Sequence, residues 1–300
     1  MELTLARHAM ATRFEIVLHG DDSKALRAAG EEALNEIERL EAQLSLYRPT
    51  SEVFHINARA AREPVKVSPS LFALLKHAKQ LHAETDGAFN VTIAPLVRCW
   101  GFMNGDGHVP GDDEIAAARA LVGLHLVRLD ARELTVQFER DGVMLDLGAI
   151  GKGYAVEKAA EILRDAGIAS ALLHGGTSTV CAIGAPPDAE AWKIALATSP
   201  GAPVEAPAIL LKDESLSVSG VRGKFFQAGD QTFGHVLDPR TGRPTQGIAL
   251  AAVVLPSATE TDALSTALLV AGEAGRARIE ALRPGMRTVL IAEMVDQCGA

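Results

Sequence analysis

The rest of the chain has to be built around Val143–Gly176, VMLDLGAIGKGYAVEKAAEILRDAGIASALLHGG, which reads as strand, glycine turn, helix and strand in one unbroken βαβ-like unit. Val143–Leu147 is a short apolar run of strand character, and Gly148, Gly151 and Gly153 give the backbone freedom that a sharp reversal needs. Ala155, Ala159, Ala160 and Leu163 then recur at helical spacing, with Glu157, Lys158, Glu161, Arg164 and Asp165 on the opposite face, and Gly167 stops the helix. Backbone N–H groups at such a helix start, with Lys152 beside them, suit a phosphate; the same turn can also do no more than reverse the chain. Two common nucleotide motifs are absent. Only Ala149 and Ile150 stand where a Walker loop needs four residues, and Gly151-Lys152-Gly153-Tyr154-Ala155-Val156 lacks the third glycine of a dinucleotide fingerprint.

The length of 300 residues allows one large domain or two modest ones, and a 48% hydrophobic content supports a sizeable core. A net charge of −9 without a Lys/Arg cluster argues against nucleic acid or an anionic membrane as partner, so an anionic ligand has to be held locally. Cys99, Cys181 and Cys298 are too scattered for a disulfide framework or a metal knuckle. The amino-terminal MELTLARHAMATRFEIVLHG lacks the basic start and apolar centre of a signal peptide, and the longest apolar run, Ile248–Leu255, is far short of the ~20 residues of a membrane span. As written, the chain is expected to be soluble and cytoplasmic, and periplasmic only if an export segment is missing from it.

In chain order, Met10–Leu18 alternates as a strand does, and Asp21–Leu46 is an amphipathic helix with Leu26, Ala33, Leu34, Ile37 and Leu40 on its apolar face. Leu44–Asn57 holds a turn at Pro49 rather than a continuing helix, with Tyr47 at its edge as a packed surface aromatic or a stacking platform. Ser68–Thr85 is a second helix, capped by Ser68 or Ser70. Thr85–Phe102 mixes turn residues with an apolar strand and gathers Phe89, Trp100 and Phe102, for a flat pocket or for the core. Asn104–Asp113 is a loop or a subdomain boundary, Ile115–Leu121 a short helix and Leu126–Phe138 two strands. Thr177–Gly184, Trp192–Thr198 and Ala208–Leu211 are further strands, with turns at Pro186-Pro187 and Pro200-Gly201. Hairpins interspersed with a few helices indicate an α+β fold.

Two segments carry chemistry. In Gly234–Gly247, GHVLDPRTGRPTQG, a rigid loop can aim His235 and Asp238 at a reaction centre, where histidine suits general-base work; the alternative is a capped turn beside a structural histidine. In Thr259–Gly272, Asp262 and Thr266 are four apart, so on a helix their oxygens share one face and suit a hard cation such as Mg²⁺; the alternative is that Asp262 caps the helix.

These pieces occur together and in order: Met10-Ala11-Thr12, SLYRPTSEVFHIN, DGAFNVTIAPLV followed by WGF, LDLGAIGKGYAVEKAAEIL, HGG, VSG, HVLDPRTGRP and TDALSTALLVAG. The series resembles the ApbE family, the FAD:protein FMN transferases, over nearly the whole chain. That resemblance implies an α+β fold of two similar fused subdomains, T-fold-like, with FAD in the cleft between them. It implies FAD contacts at Met10, Tyr47, Ala88, Phe89, Asn90, Asp146, Lys152 and Val236, and Mg²⁺ held by Asp262, Thr266 and the backbone carbonyl of Ala149. The implied reaction is attack of a threonine hydroxyl of an acceptor flavoprotein, such as a redox-complex subunit, on the FMN-side phosphorus, with AMP leaving and His235, near Asp238, taking the proton. An FAD pyrophosphatase and an FAD carrier without turnover are the competing readings. The chain departs from the family at Asn90, often Asp, and at HGGTST, where a Gly-Gly-Asn/Asp is usual. Many relatives are exported lipoproteins.

Overall fold

The computed structural model describes residues 1–103, 105, 107–196, 208–221, 223–229 and 231–293. The chain opens on an antiparallel hairpin, β1 (Glu2–Ala9) and β2 (Thr12–His19), paired from Glu2↔His19 to Ala9↔Thr12. Met10 and Ala11 are therefore a two-residue loop and not the start of a strand, and both hold positive φ, 50° and 58°. Such a loop demands two left-handed residues to match the twist of its strands, and with neither glycine nor asparagine present the turn is strained. Asp22 accepts from the N–H groups of Lys24 and Ala25 and so starts α1 (Ser23–Leu44), whose apolar stripe is buried as its spacing predicts.

Helix α2 (Glu52–Arg59) stands where the sequence showed only a turn. The turn at Pro49 is short, Ser51 accepts the Phe54 N–H at 2.9 Å, and Val53 and Ile56 bury one face. After β3 (Val65–Lys66), α3 (Pro69–Glu84) is capped by Ser68 through the Leu71 N–H. The apolar strand expected before Phe102 is instead the short helix α4 (Ala94–Cys99); Pro95 in its first turn sits where no N–H is needed, whereas a strand ladder would miss that donor. Then come α5 (Asp112–Arg119), β4 (Val127–Asp130) and β5 (Thr135–Phe138).

Val143–Leu147 is extended but joins no ladder, so the segment is not a complete βαβ unit. Leu145 gives its N–H to Asn57 Oδ1 at 2.7 Å and takes Asn57 Nδ2 on its carbonyl at 2.9 Å, and the Asp146 N–H goes to Val91 O at 2.8 Å. A side-chain amide has replaced the neighbouring strand. Helix α6 (Gly151–Asp165) follows, closed by Gly167 at φ +77° with the Ile168 N–H on Leu163 O. The chain continues through β6 (Ser170–Gly175), β7 (Thr179–Ile183), β8 (Trp192–Ala195), β9 (Ala208–Leu211), β10 (Ser215–Gly220), β11 (Phe225–Ala228), β12 (Gln231–Gly234), β13 (Leu237–Asp238), β14 (Arg243–Pro244), β15 (Ile248–Leu255), α7 (Ala258–Glu280) and β16 (Arg287–Ala292). The turn expected at Pro200-Gly201, Thr198 and Cys298 lie outside the described residues.

Two compact units result. The first comprises Met1–Leu40, Lys152–Ser217 and Val254–Thr261. Its sheet runs β1-β2-β6-β7-β10 with antiparallel neighbours. Glycines let its helices close on that sheet: a Cβ on Gly30 would meet Leu5 at 2.5 Å, and one on Gly175 would meet Val156 at 3.0 Å. The second comprises Glu41–Gly151, Val218–Val253 and the chain from Asp262. It holds the sheet β3-β5-β4 and a core of Leu96, Trp100, Phe102, Ile115, Phe233 and Leu237. Phe89, Trp100 and Phe102 are thus all buried in the core. Among the described residues no helix is long and apolar enough to cross a membrane.

Candidate active site

Most of the predicted site residues fall in the second unit: Tyr47, Ala88, Phe89, Asn90, Asp146, Ala149, His235, Val236, Asp238, Asp262 and Thr266. The interactions around Ala88–Asn90 begin locally. Asp86 and Gly87 hold positive φ (54° and 75°), which folds the end of α3 back so that the Phe89 N–H reaches Thr85 Oγ1 and His82 Nδ1 meets Phe89 O at 2.9 Å. Asn90 Oδ1 accepts from both the N–H (2.9 Å) and the hydroxyl (2.7 Å) of Thr92, whose Oγ1 accepts the Gly123 N–H. Aspartate in this place would keep both bonds; what asparagine removes is the charge.

The next residue, Val91, holds the backbone of Asp146. This carboxylate accepts the Gly148 N–H at 2.8 Å and shapes the glycine turn containing Ala149. Burial raises the Asp146 pKa above the usual carboxylate range, against the opposing pull of the Gly148 N–H and Lys224. Tyr47, largely exposed beyond an ST turn in which Ser45 Oγ accepts from the N–H groups of Tyr47 and Arg48, titrates above its ordinary value, first through partial burial and then through Asp146. Tyr47, Asp146 and Lys224 are therefore near enough to act on one another electrostatically.

Lys224 leads to the histidine. The His235 N–H donates to Lys224 O at 2.9 Å, and its ring Nδ1 lies 3.1 Å from that same carbonyl and 3.3 Å from the Lys224 N–H. A Cβ on Gly223 would strike the His235 ring at 2.9 Å, so only glycine there lets the ring close on this backbone. Beyond Val236, β13 and β14 form a small hairpin. Asp238 takes the Arg240 guanidinium with both oxygens at 2.9 Å, and Trp100 Nε1 donates to Gly242 O at 2.8 Å. Gly242 is left-handed at φ +75°, and a Cβ on it would meet Ile115 at 2.7 Å. The aromatic core thus anchors the loop that presents His235.

Asp262 is not the cap of α7. The helix begins at Ala258, and Ser257 caps it, taking the Glu260 N–H on its Oγ and the Thr261 N–H on its carbonyl. Asp262 sits inside the helix, 5% exposed. One turn on, Thr266 Oγ1 lies 3.0 Å from Ser219 Oγ, which also meets Ser265 Oγ at 2.9 Å. Carboxylate, hydroxyl and carbonyl oxygens are the donors a hard divalent cation takes, so Asp262, Thr266 and the Ala149 carbonyl fit Mg²⁺ in kind.

Met10 and Lys152 belong to the first unit, Met10 at the tip of its strained hairpin and Lys152 in the first turn of α6. The Met10-Ala11-Thr12 and HGG motifs meet there: Gly176, at φ +67°, sits so close to Thr12 that a Cβ would lie 2.3 Å from its hydroxyl. Sequence reasoning gave no role to Asn57, Ser219, Lys224 or Arg240. Asn57 and Ser219 belong to two of the quoted motifs, but their partners lie 88 and 47 residues away.

The sequence model of the ApbE family matches residues 10–290. A Vibrio cholerae protein named FAD:protein FMN transferase is 31% identical over 257 residues, covering 84% of this chain and 75% of its own length. An Escherichia coli K12 protein of the same name is 26% identical over 293 residues, covering 96% and 83%. Crystal structures of the ApbE protein of Thermotoga maritima (TM-score 0.88, 28% identity, 97% of this chain and 94% of that one) and of the apo flavinyl transferase ApbE of Pseudomonas stutzeri (TM-score 0.86, 29% identity, 98% and 92%) share the fold.

Proposed function

The chain belongs to the ApbE family, and from that premise we propose that it transfers the FMN moiety of FAD to a threonine hydroxyl of an acceptor protein, releasing AMP. What carries this reading is that the likeness runs through every candidate segment, from Met10 past Thr266. FAD is the substrate. Tyr47 suits its ring systems, the backbone of the Ala88–Asn90 turn lies beside them, Met10 and Val236 add apolar contact, and Lys152 with the amides of the α6 start suits its pyrophosphate.

The reaction forms a bond from the threonine Oγ to the FMN-side phosphorus and breaks the anhydride bond to AMP. In the tautomer whose Nδ1–H donates to Lys224 O, Nε2 is the basic ring nitrogen of His235 and takes the hydroxyl proton. Asp238 acts on the loop: its hold on Arg240 keeps the turn that follows His235 rigid. Mg²⁺ held by Asp262, Thr266 and the Ala149 carbonyl would supply neutralisation of charge on the phosphoryl oxygens.

Incubation with FAD, Mg²⁺ and a threonine-containing acceptor peptide tests the proposal. Covalent flavin on the peptide supports transfer, whereas FMN and AMP without labelled peptide indicate a pyrophosphatase and unchanged FAD a carrier.

A further inference from the structure

Glu157 makes contacts that the proposed reaction leaves unused. It is half-buried on α6, six residues beyond Gly151, and a single carboxylate oxygen, Oε2, accepts two hydrogen bonds from the start of α7. Ser257 Oγ donates at 2.6 Å and the Thr259 N–H at 2.9 Å. Ser257 in turn caps α7 through Glu260 and Thr261. The first turn of α7 is thus closed by a carboxylate oxygen delivered from another helix. From Thr259 the helix climbs about 4.5 Å to Asp262 and about one further turn to Thr266. At its other end α6 follows directly on the turn that holds Ala149.

We propose that Glu157 is a positioning residue for the metal pair: by tying the start of α7 to α6 it sets where Asp262 and Thr266 stand relative to the glycine turn. This rests on the metal reading above. Partners one step removed from metal ligands typically change affinity 10–100-fold when lost.

The test is Mn²⁺ binding to the full chain, followed by the loss of the free-ion EPR signal, alongside urea denaturation. Glu157→Ala should weaken Mn²⁺ binding about 10-fold or more. Glu157→Gln keeps an oxygen in the same place and should restore affinity to within about 3-fold of the unmodified chain. Ser68→Ala removes the cap of α3, a comparable local loss elsewhere, and should leave Mn²⁺ affinity unchanged. Unchanged affinity in Glu157→Ala would overturn the proposal. So would equal weakening in Glu157→Gln, because charge rather than placement would then be responsible. Asp262→Ala separates this from the underlying reading: if that variant binds Mn²⁺ normally, the metal site itself is misassigned.

Discussion

Replacing Asn57 should damage the site from a distance, because its side-chain amide pairs with both backbone groups of Leu145. In Asn57→Ala the Leu145 N–H and C=O lose partners at 2.7 and 2.9 Å, and Leu145 is fully buried. Each buried backbone group left unpaired costs about 1–3 kcal/mol, so with partial relaxation a total of roughly 2–4 kcal/mol is expected. The assay is urea denaturation, read as a lower midpoint at constant slope. FAD affinity should fall as well, since Asp146 is the next residue. Asn57→Asp keeps an acceptor for the Leu145 N–H but faces its carbonyl with another oxygen, so it should recover at most part of the loss. A stability within about 0.5 kcal/mol of the unmodified chain for Asn57→Ala would refute the reasoning, since that is the range of a neutral surface change.

Burial holds the Asp146 carboxyl above its ordinary pKa, so the native state binds this proton more tightly than the unfolded chain does, and the group's contribution to stability is lost as pH rises from about 4 through the folded value. Asp146→Asn should therefore match the unmodified chain near pH 4 and exceed it increasingly towards neutrality in urea melts; a difference that does not vary with pH contradicts this. The same variant should bring the Tyr47 titration down, which an ultraviolet titration can follow because Tyr154 is the one other tyrosine. His235→Ala should slow transfer by about 10²–10⁴-fold with FAD affinity retained and the acid limb of the pH–rate profile lost; a parallel loss of FAD binding and an unaltered profile would make His235 structural. Gly242→Ala, forced to hold φ +75° against Ile115, should lower the unfolding midpoint and the transfer rate together, and an unperturbed melt would mean the loop is not anchored as described.

Helices α1, α3 and α6 were legible because each has a cap or stop residue and an apolar stripe at helical spacing, and these are local signals. The errors share a different cause. Val143–Leu147 has strand composition, yet its hydrogen bonds go to an Asn57 side chain 88 residues away in sequence for Leu145, which no local pattern encodes. Met10-Ala11 continues the strand pattern in sequence because a two-residue turn without glycine or asparagine carries no turn signal. At the site, residue types revealed His235, Asp262 and Thr266, since imidazole and paired oxygens name their own chemistry. Lys224 and Glu157 stayed hidden because a lysine beside phenylalanines and a glutamate on a polar helix face look like ordinary solvated charges until their partners are in place.

The most direct measurement is a mass spectrum of an acceptor protein after incubation with this chain, FAD and Mg²⁺, with fragmentation to locate the modified residue and AMP quantified in parallel. FMN attached through a phosphoester to a threonine, one AMP appearing for each, is the predicted result. Release of FMN and AMP with the acceptor unmodified, across acceptors that other members of the family do label, would contradict it.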